Sequence, residues 1–121
     1  MTTILVVEDD KNQCLLYRQE LSEEGYDVEV ARDGKEAVGM AKLNPPDLVV
    51  LDINMPGMDG IEAMEKILGE DSKIPVIINT AYSSYKDNFM TWSADAYVVK
   101  SSDLIELKKT IKEILLKKKL A

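Results

Sequence analysis

The chain has 121 residues, one cysteine, no histidine and a formal net charge of −7. That length suits one domain, residues 1–121, with a single core, and the 45% hydrophobic content is that of a globular chain rather than a disordered one. The missing histidine excludes His-based acid–base catalysis, His-containing triads and His metal sites. Cys14 has no partner for an internal disulfide, which fits a reducing cytoplasm. No apolar stretch approaches ~18 residues, so no transmembrane helix or membrane insertion is expected. The start Met1-Thr2-Thr3-Ile4-Leu5 lacks a basic n-region, so no secretory signal is expected. Residues 1–60 carry 13 acids against 5 bases, and residues 61–121 carry 9 against 10. The acidic half argues against direct nucleic-acid binding, and the basic run Lys117-Lys118-Lys119 reads as the solvated last turn of a helix, complementing its dipole.

Strand and helix patterns alternate five times. Residues 3–8 read as a strand. Asp10 can cap a helix over roughly 11–24 that Gly25 closes. Residues 27–31 are a short strand. Asp33-Gly34 opens a helix to about Leu43, ended by Pro45-Pro46. Residues 47–52 are the third strand, and 54–60 (Asn-Met-Pro-Gly-Met-Asp-Gly) form a loop dense in turn signals. A helix follows over 61–69, then a strand over 75–80, a short helix over 84–93 and a strand over 96–99. The last helix, over 103–119, carries Leu104, Leu107, Ile111, Ile114 and Leu115 on one stripe. This order implies an α/β fold: a parallel sheet with right-handed crossovers and helices on both faces.

The chemistry lies where apolar runs end. Ile4-Leu5-Val6-Val7 runs into Glu8-Asp9-Asp10, and Leu48-Val49-Val50-Leu51 runs into Asp52. Short β-branched runs read as buried parallel strands, whose carboxyl ends face the ligand crevice of an open α/β sheet. The acids therefore converge on an oxygen-lined pocket suited to Mg²⁺, with Asp52 as candidate nucleophile. Close carboxylates repel, which raises their proton affinity unless a cation is present. Acids at strand ends can also merely cap the next helix, and for Asp10 this is the favoured reading. Thr80 and Lys100 end the next two apolar runs, so a hydroxyl and an ammonium suited to phosphoryl oxygens share the same edge. Ala81, beside Thr80, leaves access for a phosphate group.

With these residues in place the chain resembles the receiver domains of two-component response regulators. The matching motifs are Val6-Val7-Glu8-Asp9, the segment from Leu51-Asp52 to Asp59-Gly60, Asn79-Thr80-Ala81, and Ala96-Tyr97-Val98-Val99-Lys100. The second is very specific; the others add order and spacing. The resemblance spans essentially the whole chain. It implies a flavodoxin-like doubly wound (βα)5 fold, a five-stranded parallel sheet in order 2-1-3-4-5 with helices on both faces. It also implies a phosphoacceptor switch. Asp52 would take phosphate from a sensor histidine kinase or a histidine phosphotransfer protein, which must supply the histidine this chain lacks. Asp9 would ligate Mg²⁺ directly, Glu8 through a water or weakly, and Asn54 through its backbone carbonyl. Thr80 would move to hydrogen-bond the phosphoryl group, and Lys100 would pair with the phosphoryl group or with Asp52. Tyr97 would be an aromatic switch; its plain alternative is a half-buried strand aromatic. The downstream target stays unnamed, and beyond accepting phosphate and hydrolysing it slowly no enzymatic activity is expected.

The family pattern usually has Pro after the lysine; here Ser101-Ser102-Asp103 follows. A cis bond before a non-proline costs about 2.5–4 kcal/mol, so a trans bond and a rebuilt turn with Ser102 capping the last helix are expected. Tyr82, two residues past Thr80, would flank the attacking water together with Asn54 and slow hydrolysis. Phe89 and Trp92 either pack on the sheet or join a partner surface. Cys14 reads as a packing residue rather than a reactive thiol, and the Met residues as fillers. Two other functions use similar residues. An aspartyl-nucleophile phosphatase of the haloacid-dehalogenase type would want a second Asp where Asn54 stands. A phosphate-independent interaction module would not need Asp9, Asp52, Thr80 and Lys100 together.

Overall fold

The structure is a computed structural model that describes residues 2–52, 74–80, 95–100 and 103–120, apart from the side chains of Thr80, Lys119 and Leu120. The expected helices over 61–69 and 84–93, the loop over 54–60, and the expectations placed on Ser101 and Ser102 lie outside the described residues.

Five strands form the sheet: β1 (Thr3–Val7), β2 (Asp27–Ala31), β3 (Leu48–Leu51), β4 (Val76–Thr80) and β5 (Ala96–Val99). Three described helices accompany them: α1 (Lys11–Glu23), α2 (Gly34–Leu43) and α3 (Ile105–Leu120). All neighbouring strands are parallel, in the order β2-β1-β3-β4-β5. This is the order expected from the sequence. Observed element ends fall within two residues of those read from the apolar runs and caps.

Strand alternation divides the core in two. Ile4 and Val6 of β1, Leu48 and Val50 of β3, Ile77 of β4 and Val98 of β5 face α1 and α3, where they meet Tyr17, Leu21, Leu107 and Ile111. Leu5, Val7, Val49, Leu51, Val76 and Ile78 face the other way and meet Ala37 and Ala41 of α2. Because both faces are covered, the strands are apolar at consecutive positions rather than at alternate ones. The α3 stripe is as expected: Leu104, Leu107 and Ile111 are buried and Ile114 and Leu115 pack beside them.

Local signals set the helix ends. The Asp10 carboxylate accepts the Asn12 and Gln13 backbone N–H groups at 2.8 and 3.1 Å, capping α1. At the other end Tyr26 N–H reaches Leu21 C=O at 3.3 Å and Gly25 N–H reaches Ser22 C=O at 3.0 Å. This is a Schellman closure with Gly25 at φ 93°. Asp33 caps α2 by accepting Glu36 N–H at 2.7 Å. At the start of α3, Asp103 accepts Ile105 N–H at 3.1 Å. In the last turn of α3, Lys118 donates to the Asp47 carbonyl at 3.3 Å.

Candidate functional site

The ladder carries the candidate site acids to one edge. Val7 pairs with Leu51, and the next residues extend the pairing: Asp52 N–H donates to Val7 C=O at 3.1 Å, and Glu8 N–H donates to Ala31 C=O at 2.9 Å. Parallel strands end together, so Glu8-Asp9 after β1, Asp52 after β3 and Lys100 after β5 share the carboxyl edge of the sheet. Carboxylate oxygens of Glu8, Asp9 and Asp52 lie within 4.8 Å of one another. Asp10 takes no part in this cluster and serves as the helix cap, as its position suggested.

Lys100 enters the cluster from β5. Its Nζ donates to Glu8 Oε1 at 2.7 Å and to Asp52 Oδ2 at 3.1 Å. Glu8 is 1% exposed and Asp52 8% exposed, while Asp9 faces solvent. Burial raises the Glu8 carboxyl, and the neighbouring Asp52 carboxyl raises it further; Lys100 opposes both, and the result is pushed up to about 7. For Lys100, burial favours the neutral amine, but the hydrogen bonds and charges of Glu8 and Asp52 override it and leave the ammonium raised.

The second Glu8 oxygen, Oε2, is buried and has no hydrogen-bond partner among the described residues. A buried carboxylate oxygen left unpaired is costly. Three carboxylates, one with such an oxygen and one open to solvent, form an oxygen-only donor set that fits Mg²⁺.

Of the other residues singled out from sequence, Thr80 ends β4 at the same edge, and its side chain is outside the description. Asn54, Ala81, Tyr82, Phe89 and Trp92 are likewise outside the described residues. Tyr97 is half-buried and packs against the core on the α2 side of the sheet, opposite Ile78 in register. Cys14 donates its thiol to the Glu8 carbonyl at 3.2 Å, and burial, then the Glu8 charge, pushes it up, as suits an inert packing thiol.

Two features escaped the sequence reading. Lys100 was expected on Asp52 or the phosphoryl group, yet its shorter contact is with Glu8. Asn79 Nδ2 donates to the Tyr17 phenol at 2.6 Å, with both residues buried. The available signal was Asn79 itself, a polar residue inside the apolar run of β4, since buried polar groups demand partners.

The fold and the edge cluster together define the CheY-like flavodoxin class. A crystal structure of the chemotaxis protein CheY4 from Vibrio cholerae superposes with a TM-score of 0.85 at 27% identity, covering 93% of this chain and 98% of that one. The sequence matches the response regulator receiver domain over residues 4–112, and the chain belongs to that family, the receiver domains of two-component signalling. It is 38% identical over 117 residues to the response regulator ArlR of Staphylococcus saprophyticus, a match covering 95% of this chain and 53% of the relative. The chain thus spans about half the length of the curated relatives it matches. The response regulator TrrA of Thermotoga maritima, solved in complex with Mg²⁺ and BeF, is 42% identical, with a TM-score of 0.88 and coverage of 93% of this chain and 98% of that one. TrrA was also solved in complex with the histidine kinase ThkA; that match has 43% identity, a TM-score of 0.87 and coverage of 95% and 99%. Among the described residues no helix is long and apolar enough to cross a membrane.

Proposed function

We propose that this chain is a phosphoacceptor switch in which Asp52 takes a phosphoryl group from a phosphohistidine on a sensor histidine kinase or a histidine phosphotransfer protein. The observation that carries this reading is the Lys100 ammonium bridging Glu8 and Asp52 at the edge of the acid cluster. An Asp52 carboxylate oxygen forms the new O–P bond as the donor's P–N bond breaks, and the imidazole keeps that electron pair. Hydrolysis later reverses the charge change: water attacks phosphorus, the O–P bond to Asp52 breaks and inorganic phosphate leaves.

Each residue has a role in this reading. Glu8, Asp9, Asp52 and the Asn54 carbonyl would hold Mg²⁺, which supplies charge neutralisation for an incoming phosphoryl group. Lys100 stands within reach of an oxygen on Asp52 and can move part of its bonding to the phosphoryl group. Thr80 hydrogen-bonds the phosphoryl group from the end of β4. Tyr97 reports that change by shifting its half-buried ring, and the two-state equilibrium of the partner-binding face follows. In this reading the receiver domain acts in the cytoplasm, catalyses only its own phosphorylation and dephosphorylation, and itself signals to a protein target without binding nucleic acid directly. Support for the kinase as partner comes from the TrrA–ThkA complex of its relative.

The test is intact mass after incubation with Mg²⁺ and acetyl phosphate, beside Asp52→Asn. One added phosphoryl group that needs both Mg²⁺ and Asp52 is expected. No uptake, even with histidine kinases supplied, would favour a phosphate-independent interaction module.

A further inference from the structure

The Tyr17–Asn79 hydrogen bond joins two parts of the edge that the sheet does not link directly. Asn79 stands one residue past Ile78, which pairs with Leu51 of β3, and it pairs with Val98 of β5. The chain next to Leu51 is Asp52, and the chain two past Val98 is Lys100. Asn79 therefore sits on the strand between the phosphoacceptor and its lysine. Tyr17 lies on α1, the helix that begins directly after Glu8-Asp9 and is capped by Asp10. β1 and β4 are separated by β3, so no backbone ladder connects them.

The pair is fully enclosed. Tyr17 is 2% exposed and Asn79 3% exposed, within the core that α1 and α3 share. Apolar side chains could fill the same space without the need to satisfy a phenol and an amide. A polar pair fixes what an apolar one leaves loose: one depth and one orientation of α1 against the end of β4. The 2.6 Å separation is a close contact, shorter than most amide N–H···O bonds.

We propose that Tyr17 and Asn79 are positioning residues for phosphoryl transfer, holding the end of β4, and with it Thr80, at a set distance from the acid cluster. The inference rests on the phosphoacceptor reading above and adds a residue pair to it. Neither side chain touches the reacting atoms; the pair acts through the placement of β4.

Three variants test it: Tyr17→Phe, Asn79→Leu, and the two together. The readouts are the initial rate of phosphoryl uptake from acetyl phosphate at saturating Mg²⁺ and the urea midpoint. Each single change is expected to slow uptake by about fivefold or more, because small misplacements at a reacting centre are costly. The double variant is expected to be no slower than either single one, since both break the same bond. It should also regain much of the lost stability, because no buried polar group is left without its partner. Stability restored with uptake still slow identifies a positioning role. Uptake within twofold of wild type in the double variant would overturn the proposal and leave the pair as packing. If a single variant fails to fold, the double variant decides alone. Failure of the wild-type protein itself to take up phosphate would instead overturn the phosphoacceptor reading, and this proposal with it.

Discussion

Lys100 stands closer to Glu8, at 2.7 Å, than to Asp52, at 3.1 Å. The lysine is thus the counter-charge of the most deeply buried acid of the cluster as well as a neighbour of Asp52, the proposed phosphoacceptor. Its ammonium opposes the burial and the Asp52 neighbour that together push the Glu8 carboxyl up to about 7.

Removing that ammonium should therefore register in stability before any phosphate is added. We predict that Lys100→Met lowers the Mg²⁺-free unfolding free energy at pH 8 by about 1–3 kcal/mol, the cost of leaving a charged group without its hydrogen bond. Urea denaturation in EDTA measures it. An unchanged midpoint would mean that the Glu8 contact contributes nothing.

Adjacent acids should behave differently because Asp9 belongs to the cluster and Asp10 to the helix cap. A ligand that binds only the native state at 100 times its Kd stabilises by ~2.7 kcal/mol. Mg²⁺ at that excess should stabilise wild type by this amount, and at the same concentration should stabilise Asp9→Asn far less. Asp10→Ala should retain the Mg²⁺ response while losing ~1 kcal/mol of baseline stability from its cap. Thermal melts with and without Mg²⁺ separate the two, and equal Mg²⁺ responses in both variants would contradict the assignment.

Tyr17 makes a prediction at high pH. Burial pushes its phenol up to about 12; Lys100 opposes this while the Glu8 charge adds to it. The native state holds this proton while the unfolded state releases it near pH 10. The stability it contributes is whole below about pH 10 and falls as pH rises toward 12. Phenolate absorbance should show one of the five tyrosines ionising last, and Tyr17→Phe should abolish that late phase. A late phase that survives the substitution would assign it to another residue.

Gly25 closes α1 at φ 93°, and a Cβ there would meet nothing within 4 Å. The penalty of Gly25→Ala is therefore conformational rather than steric, about 1–2 kcal/mol for a left-handed residue. The same substitution at Gly39, inside α2 and also in open space, should stabilise instead by ~1 kcal/mol. Paired urea midpoints decide it; shifts of the same sign would refute the argument.

Much of this architecture was legible in the chain itself. Apolar runs of Ile, Leu and Val gave the strands, because a strand buried on both faces has no polar position to interrupt it. Asp10, Gly25, Asp33 and the prolines at 45 and 46 marked helix ends, since caps act through neighbours in sequence. Glu8, Asp9, Asp52 and Lys100 could be placed on one edge because parallel strands end together. These signals are local or follow from the parallel order, so the residues alone determined them.

What the tertiary structure decided were the pairings across 44 to 92 residues. Thr3 N–H is accepted by Asp47, Tyr17 receives its bond from Asn79, and Lys100 reaches Glu8. A side chain's partner depends on how crossovers stack α1 and α3 on the same face and on which rotamers the packed core permits. The apolar pattern fixes only that a position is inside. Which buried polar groups then meet is set by geometry, with the cost of an unpaired one selecting the arrangement.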